Sequence, residues 1–495
     1  MKKLRSLLIL FITSVCGVCA IVYIMYNSLQ VANVGENQNG DDRGLSFRDL
    51  SADSNSAIVS CECGVEGILR NLGNVSIKTN DILHTSIHIN GNADFASQAS
   101  ANGWPGDGTE RNPYIIEAYE IDANGGSYGI WIENTCVWFV IRNCKVWNAT
   151  DYNTYPWGTG ISLANVTNGT LENNTCSGNE KGICLNWASR NNTITNNNCY
   201  GNEGEGIYLL DATNNTITNN TCSKNRGGIF LLGSNNTITN NNCSNNSDGI
   251  VVFSGVPPFS SNNTITNNTC SGNSYKGIYL FSSPNNILTN NYCFGNGYGI
   301  VVVSSNNTIT RNYCLNNSCG IDFNFATYNT ITNNNCSGNS EYGMRLSFSS
   351  TNMILYNNFH SNIKYAIYIT NNSTGNTIHY NNFWQNNRVG KTTTDSKSQA
   401  CDEVGGNFWY DITTHRGNYW DDWDGRNWGI RTAYSIDGGA YDKYPLLEPV
   451  YPNSWKCETP AISWYEILLL ASILVLSVSV ALIAFQWKNK NRKQK

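Results

Sequence analysis

From about Tyr128 to Trp384 the chain repeats one pattern of apolar and polar positions. A glycine precedes an apolar, variable, apolar triplet; then comes Asn-Asn-Thr-Ile-Thr-Asn-Asn, then a single residue that is most often cysteine. In Ile183-Cys184-Leu185, Ile207-Tyr208-Leu209, Ile229-Phe230-Leu231, Ile278-Tyr279-Leu280 and Ile367-Tyr368-Ile369 the outer two residues share a face at the strand period of two, so they point inward and the middle one outward. Ile194, Ile217, Ile238, Ile265, Ile309 and Ile331 mark a second short strand in each repeat. A period of about 22 residues holds about three strands with their turns, which predicts one coil of a β-solenoid per repeat. The predicted fold class is all-β: a right-handed parallel β-helix of about twelve coils, roughly 55 Å long, capped at both ends, with flanking transmembrane helices. A left-handed solenoid, which asks for a shorter and stricter period, is the alternative.

Cys144, Cys176, Cys199, Cys222, Cys243, Cys270, Cys293, Cys314 and Cys336 fall at the single apolar position, and Phe359 and Phe383 follow them there. A position that accepts Cys or Phe but no charge points inward, because a free thiol packs as a small hydrophobe. The row reads as a buried thiol ladder. Disulfides between coils are the rival, and they would need a favourable side-chain direction in every pair. A step of a whole coil does not match the tight Cys-x-x-Cys spacing of a zinc site.

The chain ends suggest topology. Residues 1–26 join a basic start to an apolar run and read as a signal anchor or a signal peptide. Residues 27–90 read as a linker and small N-terminal region, in which Cys61 and Cys63 form a lone pair suited to a structural role before a metal site. The N-terminal cap and parallel β-helix are assigned to 91–388 and an aromatic-rich C-terminal cap to 389–457. The 19 apolar residues 467–485 read as a transmembrane helix with a basic cytosolic tail at 486–495. The predicted localisation is the cell membrane, with the β-helix extracellular and both basic flanks cytosolic if the first segment is retained.

A net charge of −5 with 14% charged residues gives no footprint for nucleic acid. Sequons are abundant on this expected ectodomain: Asn148, Asn165, Asn173, Asn191, Asn214, Asn235, Asn262, Asn306, Asn316 and Asn371 are candidate glycosylation sites. A repeat rich in Asn and Thr also generates sequons by arithmetic, and many are expected to be buried at corners.

Candidate chemistry lies on the outward row. Trp131, Tyr208, Phe230 and Tyr279 place aromatics in line, where flat apolar faces suit pyranose rings or a neighbouring protein. An insertion after Cys144 adds Tyr152, Tyr155 and Trp157 beside Trp147, and insertions in solenoids form surface loops that often bind. Hydrolysis of a glycosidic bond wants two carboxyl groups about 5 to 9.5 Å apart. The row offers only Asp322, beside Arg345 on the next coil, which reads most simply as an ion pair. An enzyme is therefore the less favoured reading, with Asp322 and Arg345 as the catalytic candidates. No cofactor is required, although Asp421, Asp422 and Asp424 sit on a turn that could hold calcium, without the full spacing of a calcium loop.

Gly106-Asp-Gly-Thr-Glu-Arg-Asn-Pro-Tyr-Ile-Ile-Glu117, the Asn-Asn-Thr-Ile-Thr-Asn-Asn rungs and Gly417-Asn-Tyr-Trp420 with Tyr444-Pro-Leu446 resemble archaeal surface proteins of the NosD-like parallel β-helix repeat class over residues 91–450. That class is similar to carbohydrate-binding and sugar-hydrolase β-helix domains. The class name evokes copper-site maturation, but His84, His88, His360, His379 and His415 are scattered, so no copper role is carried over. The resulting expectation is a membrane-anchored extracellular protein of the cell envelope that contacts glycans or adheres. A structural coat component, held by neighbouring envelope proteins or by a homo-oligomer, and a polysaccharide hydrolase or lyase are the alternatives.

Overall fold

The structure, a computed structural model, describes residues 82–255, 260–388, 398–423, 425 and 432–450, all within the compact unit Lys78–Lys495. Three parallel sheets run along the solenoid. The first has 14 strands from Ile82–His84 to Tyr419–Trp420, the second 13 strands from Ile87–Asn90 to Ala400–Asp402, and the third 12 strands from Tyr114–Glu117 to Thr377–His379. Each coil passes through the second, third and first sheets in turn, as in Lys181–Asn186, Thr193–Thr195 and Asn198–Tyr200. The sheets begin at Ile82, inside the 27–90 region read as a linker and small N-terminal region.

Asparagines explain the three corners, and at two of them they come in pairs. In Asn191-Asn192 and Asn196-Asn197 the first residue takes positive φ, 55° and 57°, a conformation asparagine tolerates better than most residues. The second is buried. Its backbone N–H and Nδ2 donate to the Oδ1 of the equivalent asparagine one coil on, as Asn192 does to Asn215 and Asn197 to Asn220. Three such ladders run the length of the rod, one per corner. They satisfy the corner amides that a short-stranded solenoid would otherwise bury without partners. Each ladder ends on an acid. Asn407 donates to Asp402, Asn418 to Asp442, and Asn386 to Gln399, which donates to Asp421 and Asp422.

The core follows the repeat. Cys176, Cys199, Cys222, Cys243, Cys270, Cys293, Cys314 and Cys336 pair in register on the first sheet, all buried free thiols. Phe359, Phe383 and Trp420 continue the row. Cys144 stands outside it: Val146 is the partner of Cys176, and Cys144 occupies the corner, its N–H donating to Asn174 Oδ1. The glycine before each second-sheet strand is needed for a close approach more than for a turn. A Cβ on Gly182 would meet the Gly206 carbonyl at 2.4 Å and Cys199 Cβ at 3.1 Å.

Both ends of this lattice are closed by aromatics. The helix Asn92–Asn102 drops Phe95 against Tyr114 and Phe139, with ring centroids 5.0 and 5.2 Å away. At the far end Trp420 lies between Phe383 at 4.1 Å and Tyr434 at 3.9 Å.

The expected flanking transmembrane helices are corrected. Among the described residues no helix is long and apolar enough to cross a membrane, and Asn92–Asn102 has 11 residues. The apolar runs at 1–26 and 467–485 lie outside the described residues, as do the basic tail and Cys61 and Cys63. The fold class is an all-β parallel solenoid. The membrane-anchored topology, the membrane partner and the cytosolic flanks are withdrawn with the helices that carried them.

Candidate functional site

The outward row of the second sheet is continuous: Trp131, Ser162, Cys184, Tyr208, Phe230, Val251, Tyr279, Val301, Asp322, Arg345 and Tyr368 pair in register from coil to coil. It is not a bare aromatic stripe. Ser162, Cys184, Val251, Val301 and Asp322 are buried, and Tyr208, Phe230 and Tyr279 are half-buried. Long cations lean over two of the rings, with Lys181 Nζ 5.6 Å from the Tyr208 ring and Lys276 Nζ 4.5 Å from that of Tyr279. Burial pushes the Tyr208 phenol up to about 12 and the Cys184 thiol up to about 12.

The insertion after Cys144 folds back over the first coils of this row and builds an aromatic arch. Tyr155 stacks on Trp187 at 4.5 Å with planes 1° apart, and meets Trp131 and Trp157 edge-on at 5.3 and 4.8 Å. His88 stacks on Trp131 at 4.0 Å and makes a 3.0 Å contact from Nε2 to the Glu133 carboxylate, which is buried. The Tyr155 hydroxyl donates to Asn186 Oδ1 at 3.2 Å. Burial raises the Tyr155 pKa well above that of a free phenol, reinforced by Cys184 and Glu133, so it stays protonated. Trp131 Nε1 is buried without a hydrogen-bond partner. Trp131, flanked by His88 and Tyr155, is packed inside the arch, and Trp187, 51% exposed, offers the open ring face.

Further along, Arg345 grips Asp322 through Nε at 2.6 Å and Nη2 at 2.8 Å. This hydrogen bonding raises the already high guanidinium pKa. Tyr342 and Tyr368 stack at 4.8 Å beside the Lys364–Glu341 pair. Phe325 and Phe348, just past the two strands that carry Asp322 and Arg345, stack at 4.7 Å and are 62% and 42% exposed.

The other residues singled out from the sequence scatter. Trp147 is on the first sheet, in register with Asp122 and Ser177 and away from the arch. Tyr152 is exposed at the insertion. Asp421 and Asp422 face Gln399 and Arg388 at the end of a ladder, and Asp424 lies outside the described residues. Among the described residues no cluster of His, Cys, Asp or Glu is arranged to hold a metal ion. Asn165, Asn173, Asn191, Asn214, Asn235, Asn262, Asn306, Asn316 and Asn371 are exposed, and Asn148 is half-buried, against the expectation of buried sequons. Sequence reasoning missed His88, Glu133, Trp187, Phe325 and Phe348. The last three were visible as bulky residues in the slot after each strand, where other coils carry Asp211, Gly233 or Ser282.

A family model described as the periplasmic copper-binding protein (NosD) matches residues 256–425, and one described as a right handed beta helix region matches residues 128–269. The chain thus has the NosD-like right-handed parallel β-helix fold. No curated protein matches it. Among solved structures it is similar to the A-module of an Azotobacter vinelandii mannuronan C-5 epimerase, at 17% identity and TM-score 0.43, over 57% of this chain and 92% of that one. The crystal structure of a periplasmic alginate epimerase matches at 14% identity and TM-score 0.41, over 61% of this chain and 84% of that one. The catalytic domain of an alpha-1,3-glucanase in complex with tetrasaccharides matches at 14% identity and TM-score 0.35, over 60% and 64%. At these identities and TM-scores the likeness carries no argument about this chain, and the fold rests on the family models. With the membrane-anchored topology already withdrawn, the expectation of an adhesive or glycan-contacting protein that is not an enzyme is not carried forward.

Proposed function

We propose that the chain is a polysaccharide-processing β-helix that acts as a lyase, an elimination at an acidic sugar run by proton transfer at the arch. The observation that carries this reading is one set of touching rings that joins a His–Glu pair, a protonated tyrosine and a half-exposed indole plate. In this reaction His88, oriented by Glu133, takes the proton from the carbon beside the sugar carboxylate. The C–O bond to the next sugar breaks as the C=C bond forms, and the leaving oxygen takes its proton from the Tyr155 hydroxyl. Lys181, on the strand whose Asn186 accepts from Tyr155, supplies a cation for the sugar carboxylate. Hydrolysis is the poorer reading, since it wants a second free carboxyl group about 5 to 9.5 Å from the first, and Asp322 is held by Arg345 in two hydrogen bonds. The finer resemblance, to archaeal surface proteins, rests on sequence motifs and belongs with this reading.

The test is incubation of the full chain with polygalacturonate, alginate and neutral glucans, scoring the ultraviolet absorbance of a new double bond and new reducing ends. Cleavage of a polyuronate with both signals is expected, reduced about 10²- to 10⁴-fold by Tyr155→Phe and by His88→Gln. Reducing ends without the double bond would make the protein a hydrolase. Neither signal on any polymer would refute the reading.

A further inference from the structure

The residue directly after each second-sheet strand fills a slot at the edge of that sheet. Through the middle coils the slot holds Asp211, Gly233, Ser254, Ser282 and Ser304, after the strands that end at Leu210, Leu232, Phe253, Phe281 and Val303. At the two ends of this run it holds large rings, Trp187 on one side and Phe325 followed by Phe348 on the other. All three take positive φ, 50°, 51° and 48°, a region that disfavours bulky side chains. All three are exposed, and each is stacked nearly parallel to a partner: Trp187 on Tyr155, and Phe325 on Phe348. A core gains nothing from rings held outward at a backbone cost, so these positions face something outside the solenoid.

Between the plates the strand-end residues form a shallow apolar floor. Leu210, Leu232, Phe253, Phe281 and Val303 point outward and are half-buried, and Phe253 and Phe281 stack at 5.1 Å. Apart from Asp211, neither the floor nor the row of small slots carries a formal charge. The strand order from Lys181–Asn186 to Cys319–Asn324 contains six steps. At about 4.8 Å per step the plates stand about 29 Å apart along the axis. An extended β-linked pyranose chain advances by nearly one strand spacing per sugar, and alternating apolar sugar faces match such a floor.

We propose that this trough seats one extended linear glycan along the solenoid axis, held at both ends by ring stacking, so that tight binding needs a chain long enough to span both plates, about seven sugars. The identity of the ligand rests on the lyase reading; the length requirement rests on the plates alone. Two weak contacts on one chain act with a high effective concentration, so affinity rises in a step once the second plate is reached and not in proportion to length.

The experiment is calorimetric titration of the full chain, carrying Tyr155→Phe so that ligand is not consumed, with the β-linked oligomannuronates of two to twelve sugars. An increase in affinity of about tenfold or more between six and eight sugars is expected. In a further Phe325→Ala, Phe348→Ala variant, with native circular dichroism, long oligomers should bind no tighter than short ones. Affinity that is flat with length, or a step that survives the two alanines, overturns the trough while leaving the lyase reading in place. Absence of binding at every length overturns both.

Discussion

Replacing Asn220 by alanine tests whether the asparagine ladders, more than the thiol row beside them, hold the coils together. Asn220 is 1% exposed, at the corner between the third and first sheets. Its Nδ2 donates to the carbonyls of Ile194 and Thr218 at 2.9 and 3.0 Å and to Asn241 Oδ1 at 3.0 Å. Its Oδ1 accepts from the Asn197 backbone N–H at 2.9 Å and from Asn197 Nδ2 at 3.0 Å. Asn197 Nδ2 keeps two carbonyl acceptors after the change, Leu171 and Thr195, whereas the Asn197 N–H is left buried without one. The net loss is about 1 kcal/mol for each of two or three bonds plus about 1–3 kcal/mol for the orphaned donor, about 3–6 kcal/mol in all. Cys222→Ala, on the same coil, removes one sulfur from an apolar row and costs about 1–2 kcal/mol. Because coils in a solenoid are coupled mainly to their neighbours, the assay is urea titration read by hydrogen exchange of amides between Asn192 and Cys243 in both variants. A cost for Asn220→Ala at or below that for Cys222→Ala would refute the reasoning.

The C-terminal end gives a pH-dependent prediction. Asp442 is buried and its carboxyl is pushed up to about 6 from an ordinary 3.8, burial outweighing the donors Asn418 N, Trp420 Nε1 and Tyr444 N. Folding therefore favours the protonated form. This contribution is complete below 3.8 and lost as pH rises through about 6, so Trp420 fluorescence should report a cap less resistant to urea at pH 7 than at pH 5, by about 1.3 kcal/mol, and Asp442→Asn should flatten the slope. Gly417→Ala should loosen the same cap, since its Cβ would stand 1.9 Å from Asp442 Oδ1; unchanged Trp420 emission would count against this. Arg345→Met should cost about 2–3 kcal/mol by stranding the buried Asp322, and adding Asp322→Leu should recover most of it. A soluble alkylating reagent should label the exposed Cys136 in the native chain and reach the row from Cys176 to Cys336 only on unfolding, as counted by intact mass.

The repeat made the lattice legible. In a solenoid each coil packs on a near-copy of itself, so a local pattern is also a tertiary one. Ile183, Ile194 and Cys199 could be read as inward from their spacing because Ile207, Ile217 and Cys222 repeat it one coil on. The division of labour within each Asn-Asn pair was less accessible, since the same letter turns the chain at Asn191 and bridges coils at Asn192. Where the period breaks, spacing misleads: the step of 32 residues from Cys144 to Cys176 put Cys144 in the thiol row, but the backbone brings Val146 there. The candidate site depends on just such breaks. His88 reaches Glu133 across 45 residues, Tyr155 reaches Asn186 across 31, and Trp187 becomes a plate because an insertion from the preceding coil folds beneath it. The sequence alone determined the solenoid, because strand period and coil period are properties of neighbours along the chain. Only the tertiary structure decided which aromatics are packing and which are exposed, because that depends on what the irregular segments cover.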